Sequence, residues 1–407
     1  MNNPARHRFA VFTAVATLIL LGAGGLVTSH GVGMAVPDWP NTFGYNMFFF
    51  PVSQWVGGVF YEHTHRLLAS GVGLLTTILA LWLYGKNART CLRWAGSGLV
   101  ILGIVTGLVT HSRWADAVVL GVSGLIGLAS SFVWPRCEAA KPWLRKLGVI
   151  AFFGVVLQGV LGGLRVVLFK DQIGILHATV AQLFFVLICM LALFTSPWWN
   201  EIIKERTSPI APTRLSWLSL MGAILILAQL ILGATMRHQH AGLAIPDFPL
   251  AYGKVWPAID PQAVALYNQQ RLEVVAANPI TAFQIVLQMI HRLGAVVIFC
   301  IVAWCAWSAW REFGARHRVT RLAAGWLALI LLQVSLGAAT IWSNKAADLA
   351  TAHVLVGAVS LAIGAVVITL LRLETAVRSH SVPALVRSKI EPSGTFQVTP
   401  APVIGIE

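Results

Sequence analysis

Charged side chains are scarce in this chain: of its 407 residues only 11% are Asp, Glu, Lys or Arg, while 57% are hydrophobic. A soluble fold with this composition would need helices apolar on every face and almost no polar surface, so a soluble class is excluded. Acid is the rarer sign, with 15 Asp and Glu against 29 Lys and Arg and a formal charge of +14. That excess does not point to nucleic acid, because the basic residues are dispersed between apolar runs instead of clustering with aromatics. Cysteine is sparse as well: five residues and no Cys-x-x-Cys pair. Cys189, Cys300 and Cys305 fall in apolar runs, and Cys91 and Cys137 beside basic loops, which leaves no disulfide or zinc framework. A long Arg- and Ser-rich presequence is lacking too, which disfavours mitochondrial import.

What is abundant is apolar sequence in long runs. Mean hydropathy is +0.75, and runs of about 18 to 25 apolar residues recur, each long enough for a membrane helix. They predict ten spans near 9–29, 60–84, 93–110, 116–134, 147–168, 173–195, 215–236, 281–307, 321–342 and 349–371. Basic residues mark alternate connections: Arg6 and Arg8; Lys86, Arg89 and Arg93; Arg136, Lys141, Arg145 and Lys146; Lys204, Arg206 and Arg214; Arg311, Arg316, Arg318 and Arg321; Arg372 and Arg378. With the positive-inside rule, both termini lie inside and the protein is a multi-pass component of a bacterial plasma membrane. Several of the 16 Trp residues, among them Trp55, Trp134, Trp198, Trp199 and Trp342, stand near span ends as interfacial anchors. Residues 373–407, rich in Ser, Pro and Val, are expected to be a mostly disordered inner tail.

The chain repeats itself at an offset of 209 residues. Gly33-Met-Ala-Val-Pro-Asp38-Trp-Pro40 matches Gly242-Leu-Ala-Ile-Pro-Asp247-Phe-Pro249, and Glu62-His-Thr-His65-Arg66 is followed in the second copy by Gln288-Met-Ile-His291-Arg292. The run from about Phe9 to Thr28 aligns with the internal span before Arg237, so it is expected to be a structural member and not a cleaved signal. Each copy later contributes one more histidine, His177 and His353, after matching segments Leu157-Gln158-Gly-Val-Leu-Gly162-Gly163 and Leu332-Gln333-Val-Ser-Leu-Gly337-Ala338. The domain plan is therefore a membrane half over 1–200, a second half over 201–372, and the tail. The first half is longer by an insertion at about 93–134, read as a hairpin of two spans; a re-entrant hairpin preserves the same parity.

Ionisable side chains are costly in a bilayer, so four histidines in two matched pairs call for a function. Porphyrin iron takes one neutral imidazole from each side, and His65 facing His177, with His291 facing His353, supplies two such sites. Several readings compete. A membrane histidine also serves as a hydrogen-bond partner between helices. Gly-rich stretches are also plain packing motifs, though they leave room for a flat macrocycle. Arg66 and Arg292 either snorkel to the interface or pair with porphyrin propionates. The Pro-Asp-aromatic-Pro loops either pack over the bundle mouth or touch a ligand. His63, His111, His238 and His240 fall at loops or span edges, and His7, His317 and His380 on the inner side, expected to be solvated. Glu62 lies one turn before His65 on the same helix face, whereas its counterpart Gln288 is neutral. A carboxylate beside a metal site takes protons or stabilises positive charge, so the first half reads as reactive and the second as the seat of a permanent cofactor; otherwise Glu62 is an interfacial acid in water.

These motifs together resemble the haem A synthase family, over both halves from about 15 to 372 apart from the 93–134 hairpin. The resemblance implies two pseudo-symmetric four-helix bundles and oxidation of a methyl group of haem O, through an alcohol, to the formyl group of haem A, for terminal oxidase biogenesis. It assigns Glu62, His65 and His177 to the substrate-haem half, and His291 and His353 to a resident haem b that passes electrons to an acceptor. Family members carrying a cysteine pair in the first outer loop differ from this chain, and the hairpin lies outside the usual eight spans. Partners implied are haem O, membrane lipid, the haem O-forming prenyltransferase and oxidase assembly factors. Two other functions use the same histidines: a di-haem b membrane electron carrier, which gives Glu62 no essential task, and a non-enzymatic haem carrier. An inverted-repeat transporter is disfavoured because the halves share one orientation.

Overall fold

The computed structural model describes residues 3–110, 114–204, 213–270 and 279–387. Twelve α-helices occur among them: α1 (Pro4–Ser29), α2 (Gly57–Tyr84), α3 (Ala88–Val109), α4 (Trp114–Val133), α5 (Pro142–Leu168), α6 (Asp171–Thr195), α7 (Pro197–Lys204), α8 (Thr213–His238), α9 (Pro261–Gln269), α10 (Ala282–Phe313), α11 (Arg318–Trp342) and α12 (Ala347–Arg387). Helix starts follow local chemistry. Asn3 caps α1 ahead of Pro4, and Asp260 caps α9 ahead of Pro261. Thr281 and Gln284 form a reciprocal capping box on α10.

Nine helical stretches among the described residues are long and apolar enough to cross a membrane, and one of them, Gly57–Val109, runs through both α2 and α3. At 53 residues that stretch would reach about 80 Å as a straight helix, far beyond a hydrocarbon core of roughly 30 Å. It breaks at Gly85, whose φ of +60° is a backbone state open to glycine. Ten helices among the described residues are thus long and apolar enough to cross, and the protein is an all-α, multi-pass membrane protein.

Helices α1, α2, α5 and α6 pack in a closed ring, each touching the next, and α8, α10, α11 and α12 form the same ring in the second half. The two bundles meet where α1 and α6 lie against α12, and α6 against α8. Each bundle is solid only at the end away from its long loop. In the first, Val72, Leu79, Leu83, Leu144, Phe184 and Ile188 are buried together. In the second, Val302, Trp326 and Ile330 pack in one cluster and Cys305, Val319, Leu370 and Leu371 in another. Toward the loop end the packing opens into a cavity.

The insertion is a self-contained hairpin. Helices α3 and α4 contact each other along their length and the bundle hardly at all. Gly96 and Gly124 let the backbones meet: a Cβ on either would fall within 2.8 Å of the other helix's main chain. Arg89 reaches across to donate to the Trp134 carbonyl, closing the end of α4. At one end, Lys86 N–H donates to Cys137 O and Ala140 N–H to Leu83 O; at the other, Asn46 of the first long loop donates to Asp116 at 2.8 Å. Contacts at both ends mean that the hairpin crosses the full thickness of the bundle and is not re-entrant.

Three expectations need adjustment. Helix α3 begins at Ala88, ahead of the expected 93, because its basic first turn serves as the cap of α4. Helices α7 and α9 lie in segments read as loops. Helix α12 continues to Arg387, past the expected span end at 371, so the presumed tail is helical at its start; 388–407 lie outside the described residues, as does His111.

Candidate functional site

The two long loops have one architecture. Asp38 accepts backbone N–H groups of Phe43 and Gly44, both at 2.8 Å; Asp247 accepts those of Tyr252 and Gly253, at 2.7 and 2.9 Å. Paired bridges Thr42–Tyr45 and Ala251–Lys254 close the same turn in each half, and Trp39-Pro40 and Phe248-Pro249 are both cis. Trp39 lies against Gly163 of α5, where no side chain fits beneath its indole. Phe248 packs edge-on to Trp342 of α11. The loops therefore cover the bundle mouths, and Trp39, Pro40, Phe248 and Pro249 line the cavity beneath.

Arginine and acid hold these loops down. Arg66 donates to the carbonyls of Val36, Asp38 and Asn41 at 2.7–2.9 Å and to Glu62 Oε1 at 2.8 Å. Arg292 donates to the matched carbonyls of Asp247 and Leu250. Neither arginine simply snorkels to the interface, and their main partners are loop carbonyls. Glu62 Oε2 accepts the Val36 N–H at 2.9 Å, and Gln288 Oε1 accepts the matched Ile245 N–H at 2.7 Å. Glu62 is only 4% exposed, so it is not an interfacial acid in water. The neutral amide performs the clamp equally well in the second half; what Glu62 adds is a negative charge, ion-paired to Arg66, in the cavity wall.

All four histidines line that cavity, which has a volume of about 1360 Å³ and reaches through both halves. A pocket for one small molecule has roughly 300–1,000 Å³. Each imidazole is seated on a glycine of a neighbouring helix: His65 on Gly24, His177 on Gly162, His291 on Gly233 and His353 on Gly337. The glycines are repeat partners, as the histidines are. At Gly24 an added Cβ would stand 2.9 Å from the His65 ring; at the other three it would stand 3.4–3.5 Å away.

Nδ1 of each of the four rings is buried with no hydrogen bond of normal geometry, although His65 and His353 interact with the backbone of Leu20 and Gln333 on neighbouring helices. The His291 and His353 rings are 6.4 Å apart, centre to centre, at 61°. With metal–imidazole bonds of about 2 Å, two rings on opposite sides of one metal have centres roughly 6 Å apart. Among the described residues no group of three or more His, Cys, Asp or Glu gathers to hold a bare ion. A metal that brings its own planar ligand and needs only two axial imidazoles fits these residues.

Four other described histidines make contacts within the protein. His63 is fully buried, 3.2 Å from the Thr42 hydroxyl and packed against Phe50 and Trp55. His238 faces Asp171 at 3.6 Å. His7 is not solvated as expected: its Nδ1 is 3.0 Å from the Ala192 carbonyl. His317 caps α11 through Val319 N–H. Two cavity residues escaped the sequence reading, Arg165 and Arg237. Arg237 donates across the bundle interface to Gly25 O and Ser29, while Arg165 lies against Gly33. A charged residue within an apolar run was the available signal.

Several known proteins are similar to this chain in sequence. The chain is 23% identical to a heme A synthase of Shouchella clausii over 342 residues, covering 83% of this chain and 87% of that protein. It is 25% identical to one of Geobacillus kaustophilus, covering 85% and 84%, and 30% identical to one of Rhodopseudomonas palustris, covering 60% and 63%. The model of the cytochrome oxidase assembly protein family matches residues 110–365, more than half of the sequence, and with the paired histidines and twin loops it follows that the chain belongs to that family.

Proposed function

We infer that this protein is a haem A synthase, an oxidoreductase that converts a methyl group of haem O, through the alcohol, to the formyl group of haem A. One observation carries the reading: two matched histidine pairs open into one cavity, and only the first has a carboxylate in its wall. The first half, with His65, His177 and Glu62, is the substrate site. In the second, His291 and His353 hold a resident haem b, which supplies one-electron redox capacity when bound. We place the loop end outside a bacterial plasma membrane and both termini in the cytoplasm, since the basic connections lie at the other end.

The chain's own groups do the positioning. His65 and His177 present imidazoles to the substrate iron from α2 and α6, each fixed in depth by its glycine seat. Trp39 and Pro40 shield the cavity from water. Glu62 is held at both oxygens, by Val36 N–H and by Arg66, so its charge cannot swing away. Each oxygen retains a lone pair able to accept the proton released as the substrate methyl, and then the alcohol, is oxidised. The negative charge also favours positive charge developing on the porphyrin.

The test is to express the chain with haem O, purify it in detergent and identify the extracted haems by chromatography and mass. Wild type is expected to yield haem A or its alcohol precursor. Glu62→Gln is expected to bind haem O but lower conversion by about 10²–10⁴-fold. The second half already tolerates Gln beside Arg at these positions, so the variant keeps the clamp and removes only the charge. Full conversion by Glu62→Gln would keep the synthase reading and remove Glu62 from the chemistry, whereas haem b alone with haem O untouched in wild type would favour the di-haem electron carrier instead.

A further inference from the structure

The substrate reading leaves a chemical need unmet. Porphyrins of the haem class carry two propionate carboxylates, and a carboxylate in a low-dielectric cavity requires a cationic partner. The arginines next to the histidines are the obvious candidates, but Arg66 is occupied by three loop carbonyls and Glu62, and both terminal nitrogens of Arg292 by loop carbonyls, its Nε alone remaining without a hydrogen-bond partner among the described residues.

Arg165 is different. It projects from the last turn of α5, one turn beyond Gly162, the seat of His177, and it lines the cavity. Its guanidinium lies over Gly33, where an added Cβ would meet both terminal nitrogens at 2.7 and 3.1 Å. No hydrogen-bond acceptor meets Arg165 among the described residues. Its nearest acids are engaged elsewhere: Glu62 holds Arg66 and Val36 N–H, and Asp171 faces His238. The second half has a related placement with a different residue. Lys345, just past the end of α11, brings its Cδ methylene to 3.8 Å from a Cβ added at Gly242, the counterpart of Gly33, and also lines the cavity. Each half therefore brings a basic side chain to the first glycine of its loop, but only the first half sets the charged group itself there. Arg237, within electrostatic reach of Arg165 but tied to α1, keeps the junction between the two sites positive.

We propose that Arg165 is the anchor for a propionate carboxylate of the substrate porphyrin in the first half. The assignment rests on the haem A synthase reading and names how that site recognises its substrate. A guanidinium gives two parallel donors to one carboxylate, so it fixes the rotation of the macrocycle about the His65–His177 axis as well as adding affinity. The rotation decides which methyl group faces Glu62.

The experiment is a spectral titration of the full-length chain, purified without haem O, with haem O and with its dimethyl ester, in which both carboxylates are masked. Wild type should bind the acid about ten- to a hundredfold more tightly than the ester, the range for hydrogen bonds to a charged group. Arg165→Gln should lose that preference, with acid affinity falling to the ester's and ester affinity unchanged; Arg165→Lys should restore most of it. Unchanged ester affinity serves as the control for folding. An Arg165→Gln protein that keeps the wild-type preference, or a wild type that binds acid and ester alike, overturns the anchor and leaves the synthase reading standing. Failure of wild type to bind either form overturns the synthase reading itself, and the anchor with it.

Discussion

A glycine in a membrane helix is ordinarily a packing residue, and the hairpin glycines Gly96 and Gly124 behave that way, bringing two backbones together. Gly24, Gly162, Gly233 and Gly337 do something else: each leaves the volume that one imidazole fills. Their spacing to that ring makes a graded prediction. Gly24→Ala puts a methyl group 2.9 Å from His65, so the ring must shift, at an overpacking cost of about 1–3 kcal/mol. At Gly337 the same change meets His353 at 3.4 Å, an ordinary contact. In purified protein, Gly24→Ala should weaken haem O binding about tenfold or more while Gly337→Ala leaves haem content unchanged. Equal tolerance of both would mean that the histidine seats do not set ligand position. The four histidines were legible in the sequence because their cost in lipid demands a reason. Their seats were not, since nothing in a run of small residues tells which neighbour will fill the space.

Helices and loops carry the repeat with different fidelity. The twin loops agree to the hydrogen bond: Asp38 and Asp247 hold equivalent turns, and Glu62 and Gln288 clamp equivalent N–H groups. A motif of fixed spacing reads out such a structure because all its contacts are local. The inserted hairpin is the opposite case, joined to the bundle at its ends and otherwise facing outward, with Trp94, Leu108 and Val133 more than 70% exposed, as suits lipid contact. Leu83 and Ala140 are hydrogen-bonded neighbours, so the chain can be rejoined across the gap. Replacing residues 88–136 by a short linker should leave haem content and haem A formation within about twofold of wild type, distant sites being nearly additive. The same variant tests the hairpin as a contact for the prenyltransferase: pull-down unchanged by the excision would remove it from that role.

Across the molecule, the two bundles share a cavity and are tied by Arg237 reaching from α8 to α1. The sites should nevertheless bind independently, because each takes both histidines from its own bundle. His353→Ala is expected to lower haem content by about one per chain and abolish the bis-histidine spectrum of the second half. Haem O binding in the first half should change by no more than about twofold, while conversion to haem A falls for want of the second redox centre. Loss of haem O binding in this variant would show the halves to be one cooperative unit.

The amino-acid order alone was enough for the membrane class, the ten crossings, the internal repeat and the four histidines, since these depend on hydropathy, charge bias and local spacing. The Glu62–Gln288 difference was legible for the same reason. Its partners were not. That Glu62 is buried against Arg66, that the adjacent arginines hold loops, and that Arg165 and Lys345 reach matched glycines from non-equivalent positions all depend on contacts between segments remote in the chain. A repeat aligns positions along the backbone. Long flexible basic side chains reach matched glycines from different turns, and only packing in three dimensions decides which of them arrives there.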